Sequence, residues 1–200
     1  MNKNQEIALK YYSKAIELNP FFVEARCKRA RLYMDLKRYG DAIEDLTKAI
    51  EALPISEEAY LLRAQCYAKL NKGDKAKADF DHVIKINPVC EEGYMQHGQF
   101  QMSQGNIHEA EEDFKKVTVL NPLNPEGFFF LGSMQIARQA LEEALVSLNK
   151  CLSLDPQFKY ALFQRSSVYS QLGKTDLANI DIKKLMELDP CFGIQDEKEK

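Results

Sequence analysis

Between residues 57 and 70 apolar side chains recur at three- and four-residue steps, placing Tyr60, Ala64 and Tyr67 on one face of a helix. A second stripe follows from Asp74 to Ile86, where Ala76, Phe80, Val83 and Ile84 turn inward and Lys75, Lys77, Asp79, Asp81 and Lys85 are assigned to water. Asn71-Lys72-Gly73 lies between the two as a short polar joint, which makes the helices antiparallel neighbours. Asn87-Pro88 ends the second helix, because proline disfavours the α conformation in the residue before it and has no N–H to continue the ladder.

The pattern repeats. Pro20, Pro54, Pro88, Pro122, Pro156 and Pro190 are 34 residues apart without an insertion, and Ala8, Ala42, Ala76, Ala110, Ala144 and Ala178 keep the same interval. So do Tyr12, Leu46, Phe80, Phe114, Leu148 and Ile182. Such a period marks an array of stacked helix pairs. Five units run 23–56, 57–90, 91–124, 125–158 and 159–192, after a half unit at 1–22 that supplies a second helix only, and a polar tail follows at 193–200. The inner alanines allow close helix approach to small partners at Ala30, Ala64, Gly98, Gly132 and Ser166, and Tyr60, Tyr94, Phe128, Phe80 and Phe114 fill the volume beside them. The joint of the fourth unit, Arg138-Gln139-Ala140, lacks the glycine or asparagine of units two, three and five, so longer helices are expected there.

Residues 59–88, AYLLRAQCYAKLNKGDKAKADFDHVIKINP, resemble the tetratricopeptide repeat family, and the resemblance extends over nearly the whole chain. It implies an all-α fold, a right-handed superhelical solenoid of antiparallel helix pairs in 34-residue repeats. Two positions depart from the family pattern: Gln101 and Gln135 stand where other units carry Tyr33, Tyr67 and Tyr169, and Arg29, Arg63, His97 and Arg165 stand where leucine is common. In this family the first helices line a concave groove, to which four positions of each unit turn. Carried over, the fifth position is an apolar stripe of Cys27, Leu61, Met95, Phe129 and Phe163. The second is Glu24, Glu58, Glu92, Glu126 and then Tyr160, a carboxylate rail for a basic or amphipathic protein segment, although glutamate there also complements the helix dipole. The ninth adds Arg31, Gln65 and Gln99 as hydrogen-bonding groups, and the twelfth adds the adaptable Met102.

The resemblance therefore points to a non-catalytic protein–protein interaction scaffold that binds a peptide, helix or assembly partner on the concave face. The alternatives are a structural spacer within a large assembly, such as a ciliary or transport complex, or a non-catalytic segment of a larger enzyme. A subgroup of the family clamps the carboxylate tails of chaperones with lysine, asparagine and arginine. Those positions here hold Cys27, Arg31, Leu62, Glu92 and Gln96, and the later frames fail likewise, so that partner is not expected.

Composition adds exclusions. A formal net charge of −3 gives no global basic field, and the local cluster Arg26, Lys28, Arg29 and Arg31 is too short for an expected nucleic-acid surface. The apolar stretch FFFLGSMQIA is about half the length of a membrane span. The five cysteines include no C-x-x-C pair and most read as buried small hydrophobes, and His108-Glu109 matches only half of a zinc-protease motif. No catalytic set, metal site or cofactor is expected. A cytoplasmic location is the default, with cilium and nucleus left open. Ile7, Ala8, Tyr11, Tyr12 and Ala15 form an apolar face without a preceding helix, and Cys191-Phe192-Gly193-Ile194 runs straight into the polar tail. The expectation is a slice of a longer array, or else ends covered by a partner or by self-association.

Overall fold

The computed structural model describes residues 3–192, and every regular element among them is an α-helix. After α1 (Lys3–Leu18) the helices alternate as α2 (Val23–Asp35), α3 (Tyr39–Ala52), α4 (Glu57–Lys69), α5 (Gly73–Ile86) and α6 (Glu91–Ser103). They continue as α7 (Ile107–Leu120), α8 (Pro125–Ala137), α9 (Leu141–Leu154), α10 (Lys159–Gln171) and α11 (Thr175–Leu188). First helices start at residues 23, 57, 91, 125 and 159, which is the 34-residue interval of the prolines. The polar tail expected at 193–200 lies outside the described residues.

Each pair is joined by a residue in the left-handed region: Lys37 (φ 58°), Asn71 (55°), Gly105 (79°), Gln139 (65°) and Gly173 (71°). This corrects the expectation for the fourth pair. Gln139 adopts the glycine-like conformation, so α8 and α9 keep the 13 and 14 residues of the other pairs. The cost of left-handed backbone in a residue with a β-carbon, roughly 1 kcal/mol, is offset by closed hydrogen bonds such as Ala140 N–H to the Gln135 carbonyl at 2.8 Å.

The chain divides into two compact units, Met1–His97 and Gly98–Lys200, with the division inside α6. In the first, α1 packs on α2, α2 on α3, α3 on α4 and α4 on α5; in the second, α7 packs on α8, α8 on α9, α9 on α10 and α10 on α11. The inner alanines are sealed: Ala42, Ala76, Ala110 and Ala144 have no exposed surface. Close approach is visible at Gly132, where a β-carbon would lie 3.0 Å from Leu148 Cγ. A second column of small residues, Ala25, Ala59, Gly93, Gly127 and Ala161, is also buried. At Gly93 a β-carbon would lie 3.0 Å from Val83 Cγ1, and at Gly127 2.8 Å from Val117 Cγ1. First helices are thus notched both toward their own partner helix and toward the second helix before them.

Charge is also built into the packing. The Arg63 guanidinium donates to both carboxylate oxygens of Asp79, each at 2.8 Å, and to Thr47 Oγ1 at 3.2 Å. Arg165 does the same to Asp181 at 2.7 and 2.6 Å, with Asn149 as its third acceptor. Arg29 repeats the pattern with Asp45 at 2.6 and 2.7 Å and with Ser13. Asp79, expected in water, is therefore buried, because its charge is met by the arginine that replaces the family's leucine. In the fourth pair Leu131 takes the arginine's place, and Ser147, in the aspartate's place, donates to Gln135 at 2.7 Å. Hydrogen bonding to its aspartate raises the pKa of each of the three arginines further, so they stay charged. The basic cluster of the first pair is largely spent internally. Arg26 donates twice to the Pro20 carbonyl and once to Asp45, and Arg29 is held as above.

Candidate functional site

In the first unit α2 and α4 are in direct contact, and the predicted apolar stripe is largely buried there. Cys27 is 1% exposed, and Leu61 and Met95 are 7% exposed. These three side chains are floor rather than open surface. Burial, with the nearby Glu58 carboxylate adding to it, pushes the Cys27 thiol up to about 12.

The rim above that floor is polar. A cavity of about 560 Å³ opens over Leu61 and Leu62, bordered by Arg31, Glu57, Glu58, Gln65, Cys90, Glu92 and Gln96. Arg31 donates to Glu58 Oε1 at 2.9 and 3.2 Å across the groove. Gln65 donates to Gln96 Oε1 at 2.7 Å, and Gln96 in turn donates to Glu92. Asn87 donates to Glu57 at 2.9 Å, and the Cys90 sulfur accepts the Gly93 N–H at 3.3 Å, capping α6. The Cys90 thiol is pushed above its usual range first by burial and then by its hydrogen bond to Glu57. Of the predicted set, the structure thus gathers Arg31, Glu58, Leu61, Gln65 and Glu92 around one cavity. Glu24 lies apart, beside a smaller cavity of about 320 Å³ lined also by Tyr12, Phe22 and Lys28. On α1, Ile7 and Tyr11 are exposed and border a third cavity with Lys10, Lys14 and Glu17.

In the second unit the same positions carry rings. Phe129 is half-buried, with its centroid 5.1 Å from Phe158, 5.2 Å from Phe130 and 6.4 Å from Tyr160. Phe192 lies 5.5 Å from Tyr160 and 5.8 Å from Phe163. Tyr160 is 61% and Phe163 53% exposed, so this cluster of tilted and edge-on rings presents aromatic surface to solvent. Sequence reasoning missed Phe158 and Phe192, whose only signal is their recurrence at the last position of consecutive units. Ser133 and Gln164 are hydrogen-bonded beside the cluster at 2.9 Å. Glu126 is exposed in the first turn of α8, its N–H held by the Asn124 cap, while Gln99 and Met102 are half-buried on α6.

Besides the paired aspartates, the buried Glu111 stands outside this face. Glu111 is 1% exposed; burial raises its pKa, but hydrogen bonds and charge from Arg138 and Lys115 outweigh that and hold it below the usual range. No group of three or more His, Cys, Asp or Glu among the described residues is placed to hold a metal ion. No helix among them is long and apolar enough to cross a membrane.

Four family profiles, each described as tetratricopeptide repeat, match residues 11–44, 33–95, 95–157 and 160–190. The chain belongs to the tetratricopeptide repeat family. Its fold is the all-α, helix-pair repeat fold of that family. Among curated proteins none matches this tetratricopeptide repeat chain significantly. Among solved structures it is similar to YrrB, described as a TPR protein with an unusual peptide-binding site. The two share 19% identity and a TM-score of 0.73, over 90% of this chain and 93% of that one. It is also similar to the MamA 41-end structure from Desulfovibrio magneticus RS-1, at 16% identity and a TM-score of 0.75, over 86% and 97% of the two chains. A third likeness is TTC0263, a thermophilic TPR protein of Thermus thermophilus, at 21% identity and a TM-score of 0.66, over 83% and 91%. At these identities the likeness is one of fold.

Proposed function

We propose that this tetratricopeptide repeat protein is a non-catalytic interaction scaffold that binds a protein segment on the face made by its first helices. The observation that carries this reading is the aromatic surface of the second unit. Tyr160 and Phe163 stand more than half exposed beside one another, supported from below by Phe129, Phe158 and Phe192. Large rings held rigidly at a solvent face cost little conformational entropy on binding and are the side chains that most often dominate protein interfaces. The peptide-binding site named for YrrB supports the reading, since that protein shares the fold. In the first unit the ninth-position groups already bond within the groove, so they line it rather than stand free for a partner.

The test is partner capture with the wild type, then titration of the captured partner against a Tyr160→Ser/Phe163→Ser variant. Affinity is expected to fall more than about tenfold, or 1.4 kcal/mol, with unchanged helicity by circular dichroism. Full affinity in the folded variant contradicts the reading.

A further inference from the structure

The repeat allows the space between neighbouring first helices to be compared with its counterpart two repeats along the same chain. The bond across the space is kept: Gln65 to Gln96 at 2.7 Å in the first unit, Ser133 and Gln164 at 2.9 Å in the second. The filling differs. In the second unit Phe129, Phe158 and Tyr160 pack there with centroids 5.1 and 6.4 Å apart. In the first unit Leu61, Cys90 and Glu92 occupy those three positions and leave the cavity of about 560 Å³. The open space is therefore made by side-chain choice on a repeated backbone, not by a break in the packing.

Its lining selects the guest. Leu61 and Leu62, 7% and 3% exposed, make an apolar floor. Three carboxylates, Glu57, Glu58 and Glu92, stand above it. Glu58 already holds a guanidinium, that of Arg31, at 2.9 Å. Glu57 and Glu92 accept instead from the neutral amides of Asn87 and Gln96, so the rim carries more negative charge than one arginine offsets. A purely apolar guest would cover those carboxylates without compensation, and an acidic one would be repelled. A long cationic side chain suits both levels: its aliphatic stem lies on the leucines and its charged tip reaches the rim. We propose that the groove of the first unit takes the lysine or arginine side chain of an extended basic segment of a partner protein. This rests on the reading of the chain as a protein-binding scaffold and names the partner's chemistry.

The test uses the full chain and three fluorescent peptides that alternate serine with lysine, norleucine or glutamate, read by anisotropy. Norleucine keeps the stem and removes the charge. The lysine peptide is expected to bind about tenfold or more tightly than the norleucine peptide, to weaken with added salt, and to leave the glutamate peptide unbound. Glu57→Gln/Glu92→Gln, on the polar rim, should lose about tenfold for the lysine peptide. Cys90→Phe, which puts a ring where Phe158 sits in the second unit, should abolish its binding with circular dichroism unchanged. Equal affinity for lysine and norleucine peptides, no binding of the lysine peptide, or undiminished binding by the rim variant each overturns the proposal. If Cys90→Phe does not fold, the rim variant decides alone. Val146→Ser, on the exposed side of α9, should bind the lysine peptide as the wild type does. A negative peptide result beside a captured partner still lost in the Tyr160→Ser/Phe163→Ser variant sinks the basic-guest proposal and leaves the scaffold reading standing.

Discussion

Asp79→Ala removes one half of a sequestered ion pair, and the structure says what is left behind. Arg63 loses two charge-assisted hydrogen bonds of 2.8 Å and keeps Thr47 Oγ1 at 3.2 Å. Its side chain is 16% exposed, so water recovers part of the loss but not most of it. Two such bonds, discounted for that access, give a destabilisation of about 2–4 kcal/mol. Arg63→Leu strands the Asp79 carboxylate, 8% exposed, and should cost a similar amount. The double variant Arg63→Leu/Asp79→Ala removes both charges, and Leu131 shows that the repeat accepts leucine at this place. Its cost should stay within about 1 kcal/mol of wild type, giving a coupling of about 3 kcal/mol or more. Urea unfolding of the four proteins, followed by circular dichroism with a common slope, measures the cycle. If the double variant loses the sum of the single losses, the pair is not coupled and the assignment of Asp79 to the interior is wrong.

Further outcomes follow from the same packing. Ala76→Leu, at a site with no exposed surface, should overpack the second pair and cost about 1–3 kcal/mol, whereas Lys77→Ala on the exposed side should stay within about 0.5 kcal/mol in the same unfolding assay. Burial holds the thiols of Cys27 and Cys151 at about 12, against 9.0 unburied. Their contribution is full below pH 9 and is lost as pH rises through 12, because the unfolded thiols ionise first. Urea midpoints should therefore fall above pH 9, and fall less in Cys27→Ala/Cys151→Ala; equal declines contradict this. Among the described residues α1 packs chiefly on α2 and leaves Ile7 and Tyr11 exposed, so amides of residues 5–18 should exchange faster than those of 76–86 in a monomeric sample, and equal protection shows that α1 is adequately covered.

The helices were legible because their signals are local and repeated. Proline before each first helix, alanine at each close approach and an apolar stripe at helical period all act within one unit, and the unit recurs without insertion. The joint at Gln139 was misread because the geometry imposed by two packed helices overrides the preference of the joint residue. The Arg–Asp pairs were missed because a charged residue on a helix ordinarily faces water. Their trace is the recurrence of arginine and aspartate 16 residues apart in Arg29/Asp45, Arg63/Asp79 and Arg165/Asp181. At the candidate site the residue columns were readable, but their exposure was not. Cys27, Leu61 and Met95 are covered while Phe163 is open, and that depends on tertiary packing which the residue type at one position does not encode.

The central claim is that partners dock on the first-helix face and not on the outer second helices, which also expose apolar side chains such as Val146 on α9, 70% exposed. The most direct measurement is site-specific photocrosslinking in native lysate, with a benzophenone side chain at Phe163 in one protein and at Val146 in another. The account predicts a discrete crosslinked partner from position 163 that is lost when Tyr160→Ser is added, and none from position 146. A crosslink from position 146 with none from position 163 contradicts it and assigns docking to the outer helices.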